Sequence, residues 1–192
     1  MNYKSTVPEG VSENWEVKKF IVTEEDEKRQ MMRLFSNKGR FVPAGNYTQL
    51  IKDGIIIMSD TPDELHDLNF AVYKAKGKCL INGLGLGIIT ELILQKKEVE
   101  FVTVIEISKD VIKLVGNHLL RNGYGCKLNI IHSDAFEYKP PKNSKFGMVW
   151  HDIWNDMCSD NLEQMKTLHR RYGRMAEWQG SWGREFIQRW KM

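Results

Sequence analysis

Residues 78–106 read KCLINGLGLGIITELILQKKEVEFVTVIE. A short apolar run, Cys79-Leu80-Ile81, meets a glycine turn, Gly83-Leu84-Gly85-Leu86-Gly87. A helix-period stretch follows, with Ile88, Ile89, Leu92 and Ile93 on one face. A second apolar run, Phe101-Val102-Thr103-Val104-Ile105, ends on Glu106. The order is strand, turn, helix, strand, with an acid at the tip of the second strand. Glycines allow a close backbone approach and positive φ. The start of a helix offers free N–H groups. A carboxylate about 20 residues beyond such a turn can accept hydrogen bonds from both hydroxyls of a ribose. The unit therefore points to a nucleoside cofactor, although a tight strand-to-helix turn alone would account for the glycines.

Dinucleotide binders carry G-x-G-x-x-G, whereas this turn is G-x-G-x-G. The latter form, followed by an acid, resembles motif I of Rossmann-like S-adenosylmethionine (SAM) methyltransferases. It equally resembles the cofactor motif of the spermidine synthase family, which shares that fold. The resemblance implies SAM or decarboxylated SAM as cofactor, held by Asn82, Gly83, Gly85, Gly87, Glu106 and Ile107.

Composition agrees with a cytosolic globular domain. The chain has 192 residues, 42% of them hydrophobic, enough for one core. No stretch approaches the roughly 18 apolar residues of a membrane span, and MNYKSTVPEG lacks the apolar centre of a signal peptide. Cys79, Cys126 and Cys158 are widely spaced without a C-x-x-C, which argues for reduced thiols and against a zinc site. A net charge of +3 does not by itself argue for nucleic acid.

Residues 1–77 read as an N-terminal extension, 78–158 as the nucleoside-binding core, and 159–192 as a C-terminal helix and tail, all in one compact domain. Val17 to Val22 suggests a strand. Thr23 caps an acidic first turn, Glu24-Glu25-Asp26-Glu27. Met31, Met32, Leu34 and Phe35 supply that helix's apolar side, and Gly39 is placed to end it. Tyr47–Ile51 and Ile55–Met58 flank Asp53-Gly54, a hairpin-turn signal. Thr61-Pro62-Asp63-Glu64 starts a helix, with Thr61 as cap, Pro62 at the first position and Glu64 closing a capping box. Leu65, Leu68 and Val72 form its buried stripe. Asp53-Gly54, Asp63-Glu64 and His66-Asp67 stand in an order similar to a segment that precedes the cofactor motif in spermidine synthases. Read from the residues alone, Asp63, Glu64 and Asp67 are helix-terminus electrostatics and solvated charge.

Beyond Glu106 the alternation continues. Ser108 can cap a helix carrying Val111, Ile112, Leu114, Val115 and Leu119. Lys127–Ile131 reads as a third strand and leads into His132-Ser133-Asp134-Ala135. In the families it resembles, such an acid bonds the adenine amino group. From the residues alone, an Asx turn serves as well. Phe146–Trp150 reads as the fourth strand, followed by His151-Asp152-Ile153-Trp154-Asn155-Asp156. Ligands of open α/β sheets sit at the carboxyl ends of strands where their order reverses, so Asp152 should face the reactive end of a bound cofactor. The resemblance makes Asp152 a general base or substrate-orienting carboxylate, the matching position in spermidine synthases being an acid that deprotonates the attacking amine. His151, Trp154 and Asp156 become substrate-side candidates, Trp154 as a pocket wall and Asp156 as a partner for a cation. Asp-Ile-Trp-Asn lacks the Pro-Pro pair that DNA amino-methyltransferases carry at this point.

The tail departs from the family pattern. Ser159 opens a helix with Leu162, Met165, His169 and Tyr172 on one side, and Gly173 ends it. A full methyltransferase sheet needs three further strands, and the remaining sequence shows none. Gly-Ser-Trp-Gly reads as a turn and Glu185–Lys191 as a short helix. Residues 169–192 hold six Lys/Arg against Glu177 and Glu185, interleaved with Trp178, Trp182 and Trp190. A homo-oligomer interface built on those tryptophans is the favoured reading, ahead of a nucleic-acid contact or a lid. The expected fold is therefore α/β and Rossmann-like, truncated at the C-terminus and preceded by a hairpin-and-helix extension.

The whole pattern is similar to small phage or bacterial proteins labelled SAM-dependent methyltransferases. The resemblance implies a cytoplasmic methyltransferase acting on an unnamed small-molecule or nucleic-acid nucleophile. Two other readings stay open: aminopropyl transfer from decarboxylated SAM to a polyamine, and a catalytically silent SAM-binding protein.

Overall fold

The computed structural model describes residues 3–34 and 41–190, with Arg33, Leu34 and Trp190 traced by backbone alone. The expected helix end at Gly39, the packing of Leu34 and Phe35, and the contacts of Trp190 and Lys191 lie outside the described residues and side chains.

The N-terminal region forms a four-stranded antiparallel sheet in the order β1-β2-β3-β4, with β1 at Gly10–Ser12, β2 at Trp15–Val22, β3 at Gly45–Lys52 and β4 at Ile55–Ser59. Helix α1, Glu24–Leu34, lies between β2 and β3. Thr23 caps it as expected, its Oγ1 accepting the Asp26 N–H at 3.1 Å while Asp26 accepts from the Thr23 N–H in return. Its methionines face outward, Met31 being 52% and Met32 68% exposed. The β3–β4 hairpin pairs Lys52 with Ile55, and both loop residues have positive φ, Asp53 at 50° and Gly54 at 78°. That is the primed turn expected of Asp-Gly, whose twist matches its strands.

Helix α2, Pro62–Lys74, starts where expected and buries Leu65, Leu68 and Ala71. The capping box does not form. Thr61 makes no side-chain cap bond, and Glu64 instead accepts the N–H and Oγ–H of Ser59, each at 2.7 Å. The carboxylate is drawn to the end of β4, which ties the hairpin to α2.

A five-stranded parallel sheet follows in the order β7-β6-β5-β8-β9: β5 Gly77–Asn82, β6 Val99–Glu106, β7 Leu128–His132, β8 Phe146–His151 and β9 Ala176–Ser181. Helix α3, Ile88–Leu94, and a helical segment at 109–124 make the crossovers among β5, β6 and β7, and the helix Asn161–Tyr172 joins β8 to β9. Ser108 caps the 109–124 segment through the Val111 N–H. The strand order reverses at β5, between β6 and β8, the position where such sheets bind ligands. This is the Rossmann-like α/β architecture expected from residues 78–106.

The tail corrects the sequence reading. Residues 176–181 are a parallel strand that takes in Gly180 and Ser181 of the expected turn and leaves Trp182-Gly183 as the turn, so one of the strands thought absent is present. Trp178 lies against Trp150 at 6.2 Å and 11°, and Trp182 packs on the main core. Both are in use within the chain, which leaves the expected interface without two of its tryptophans. The two sheets share one core, in which Val17 and Leu50 of the N-terminal sheet meet Leu84, Leu86 and Ile88 of the glycine turn and α3. Among the described residues no helix is long and apolar enough to cross a membrane.

Candidate functional site

The glycine turn leaves β5 at the point of strand reversal. Gly83 has φ +96°, and a Cβ there would lie 2.0 Å from the Asp152 carbonyl oxygen. Only glycine lets the turn pass the start of the β8 loop so closely. The Asp152 N–H in turn donates to the Asn82 carbonyl at 2.8 Å, so turn and loop are laced together. Glu106 closes the other side. Its Oε2 accepts the Leu84 N–H and its Oε1 the Ser108 N–H, both at 2.8 Å. Each carboxylate oxygen has two lone pairs, so two acceptor positions remain for a ligand. Burial pushes the Glu106 carboxyl up, and the N–H donors of Leu84 and Ser108 oppose that rise.

These groups surround a cleft of about 280 Å³. Gly83, Gly85, Glu106, Ile107, Asp134, Ala135 and Asp152 all line it, as the sequence led us to expect. Asp134 makes the Asx turn, Oδ1 accepting the Phe136 N–H at 2.7 Å, and it also lines the cleft. Ile107 is 65% exposed and offers an apolar surface beside Glu106. A smaller cavity of about 60 Å³ adjoins the first and shares Ile57, Gly83, Gly85 and Asp152 with it.

Five expected site residues do not line the cleft. Asn82 is fully buried and gives its amide N–H to His151 Nδ1 at 2.7 Å, acting inside the sheet rather than on a ligand. Gly87 starts α3 and abuts Leu119, where a Cβ would come within 2.7 Å of that side chain. His151 belongs to the core, with no exposed surface, because β9 and the helix Asn161–Tyr172 cover the end of β8. Burial holds its imidazole down at about 3. Trp154 packs in a second core cluster and donates its indole N–H to Gln164 at 2.7 Å, so Gln164, Ile153 and Asn155 reach the cleft in its place. Asp156 is exposed to solvent and contributes only its carbonyl, which accepts from Asn161.

Sequence reasoning missed two contributors. Trp15, Leu50 and Ile57 bring the N-terminal sheet over the cleft as a wall. Glu64 lines the small cavity, and both Glu64 and Asp67 act electrostatically on Asp152 instead of being merely solvated charge. The order of charged residues hinted at this, but only the packing of α2 against β8 brings them together.

Asp152 is the electrostatic centre of the site. Burial pushes its carboxyl up to about 7; Glu64 and Asp67 add to the rise and the Trp150 indole N–H opposes it. The residue keeps partial access, and it lines both cavities. The folded protein therefore holds this proton more tightly than the unfolded chain, whose carboxyl titrates near 3.8. The associated stability is present below about pH 4 and is lost as pH rises through about 7. Asp152→Asn, which cannot ionise, should be more stable than the wild type at pH 8 and should flatten the decline between pH 5 and 8. Urea denaturation at both pH values checks this.

No family model matches the chain, and no curated protein matches it. Solved structures do. The chain is similar to a dimethyladenosine transferase from Plasmodium falciparum, at 23% identity over 56% of this chain and 37% of that one, with a TM-score of 0.42. It is similar to the 23S rRNA methyltransferase ErmE, at 16% identity over 60% and 43% of the two chains, with a TM-score of 0.46. It is also similar to the N-methyltransferase NodS from Bradyrhizobium japonicum WM9, at 16% identity over 58% and 59%, with a TM-score of 0.44. The chain spans less than two thirds of the length of each of these structures. The likeness is one of fold.

Proposed function

We propose that this chain is a SAM-dependent methyltransferase acting on a small-molecule or nucleic-acid nucleophile. One observation carries the reading: three groups far apart in sequence, the glycine turn, Glu106 and Asp134-Ala135, converge on one cleft that ends at Asp152. The chain's own residues fit the adenosyl group. Glu106 has acceptor positions for two ribose hydroxyls. Ile107 and Ala135 offer apolar contact to a base, and Asp134 an acceptor beside it. When bound, SAM supplies an activated methyl group on a sulfonium. Asp152, with a carboxyl near 7, is partly ionised at neutral pH and can orient an acceptor and take up its proton. Calorimetry with SAM and S-adenosylhomocysteine tests the proposal. We expect both to bind with one site per chain; heat flow absent with both ligands would end it.

A second reading, aminopropyl transfer from decarboxylated SAM, is favoured by the acids around Asp152. Glu64 and Asp67 make the end of the cleft unwelcoming to a carboxylate and receptive to amines. The same calorimetry with decarboxylated SAM separates the two, since aminopropyl transfer requires the decarboxylated form to bind more tightly.

A further inference from the structure

A further cavity, lined by aromatic rings, lies outside the cleft just described. It has a volume of about 480 Å³ and runs along the free edge of β9, between α2 and the helix Arg184–Trp190. Its floor is Trp150, and its sides are Trp178, Phe70 and Phe186. The volume falls in the ordinary range for small-molecule sites.

Two of these rings are only half covered by the fold. Phe70 is 54% and Phe186 49% exposed. Phe70 stands edge-on to Trp178, at 5.6 Å and 77°, with Tyr73 at 6.4 Å and Lys74 Nζ 5.2 Å from its centroid. Exposed aromatics gathered on one cavity mark a binding surface rather than scattered surface apolarity. The cavity also has polar groups suited to the edge of a planar ring: the Asp67 carboxylate, the Gln188 amide and the Arg184 guanidinium.

His169, Ser181 and Arg184 at the same wall resemble a nucleophile-and-base set, but the bonding excludes it. Arg184 donates to His169 Nδ1 at 2.7 Å, so the ring proton sits on Nε2 and is directed at Ser181 Oγ, 2.9 Å away. His169 therefore cannot accept the serine proton. Burial and Arg184 hold it down at about 4, hence neutral, and its role is to fix the position of Arg184.

The cavity adjoins the reactive end of the cofactor cleft. Asp67 lines it and accepts the Trp182 indole N–H at 3.3 Å, while Trp182 lines the small cavity that contains Asp152. The Trp182–Asp67 pair is thus the partition between the aromatic cavity and Asp152.

We propose that the aromatic cavity is a second ligand site, and that it binds a planar heteroaromatic ring of the nucleobase class, stacked between Phe70 and Phe186 with its polar edge toward Asp67 and Arg184. Binding of the ring does not rest on the methyl-transfer reading. The ring can come from a free nucleoside or from a single strand, and stacking on aromatics serves both.

The experiment uses the full chain. Calorimetry with S-adenosylhomocysteine alone is run first. Adenosine, cytidine and ribose are then titrated by tryptophan fluorescence with that ligand saturating, so that the cofactor cleft is blocked to adenosine. We expect both nucleosides to quench and ribose to do nothing. Phe70→Ala combined with Phe186→Ala, both at exposed positions, should weaken nucleoside binding by about tenfold or more and leave S-adenosylhomocysteine affinity within about twofold. A short single-stranded oligonucleotide that binds more tightly than the nucleosides, with a steep salt dependence, would identify the polymer as the source. If S-adenosylhomocysteine binds but the nucleosides do not, or if the double variant binds them as well as the wild type, this proposal is overturned and the cofactor reading stands. If S-adenosylhomocysteine fails and cytidine binding is lost in the double variant, the ring site stands without the cofactor.

Discussion

Glu106→Ala should lower affinity for S-adenosylhomocysteine by about a hundredfold or more. A hydrogen bond to a charged acceptor contributes about 1.5–3 kcal/mol, so losing two ribose hydroxyl bonds removes at least about 3 kcal/mol, at roughly 1.4 kcal/mol per tenfold in affinity. The substitution acts on the free protein as well. Leu84 and Ser108 lose the acceptor for their N–H groups, at about 1–3 kcal/mol for each one left buried and unpaired. Part of this is offset because a buried, desolvated carboxylate is removed. Calorimetry at a temperature where the variant is folded by circular dichroism separates the two effects. Undiminished binding by a folded Glu106→Ala protein would place the nucleoside elsewhere. Glu106→Gln keeps one acceptor oxygen and should fall between the two.

Gly83→Ala should be the most damaging glycine-to-alanine change among the described residues. The new Cβ would meet the Asp152 carbonyl oxygen at 2.0 Å and its carbon at 2.8 Å, both backbone atoms that cannot rotate away. The φ of +96° adds strain for any residue with a side chain. We expect a loss above about 4 kcal/mol, the range reserved for disrupted cores and backbones, or failure to fold. Gly54→Ala is the control. Its φ is +78° and nothing lies within 4 Å of the new Cβ, so only conformational strain of about 1–2 kcal/mol is expected. Chemical denaturation of the two variants measures the difference directly. Equal losses would show that the close approach of the turn to Asp152 is not what glycine secures at position 83.

Local patterns reported local structure well. The Thr23 cap, the Asp53-Gly54 turn, the helix start at Pro62 and the Ser108 cap were legible because each depends on residues within a few positions of one another. β9 was not. Its sequence, AEWQGS, alternates over only four residues and has no branched ones, and it is a strand because β8 is beside it. Gly180 belongs there because Trp178 and Trp150 occupy the space that its Cβ would take, within 2.6 and 2.9 Å. No propensity scale contains that information.

The same division runs through the site. By itself the sequence determined the strand–turn–helix–strand unit, the acid at the end of β6 and the acid after β8. Glycine conformation, apolar period and strand length act along the chain, and residues 78–106 contain all three. Only the tertiary structure decided which neighbours of those acids face the cleft. His151 and Trp154 flank Asp152 in sequence, yet β9 and the helix Asn161–Tyr172 draw them into the interior. Glu64 and Asp67 are some 85 residues away, yet α2 packs beside β8 and sets their charges on Asp152. Burial and charge proximity raise that carboxyl to about 7, and both are properties of the packed molecule that no local stretch of sequence carries.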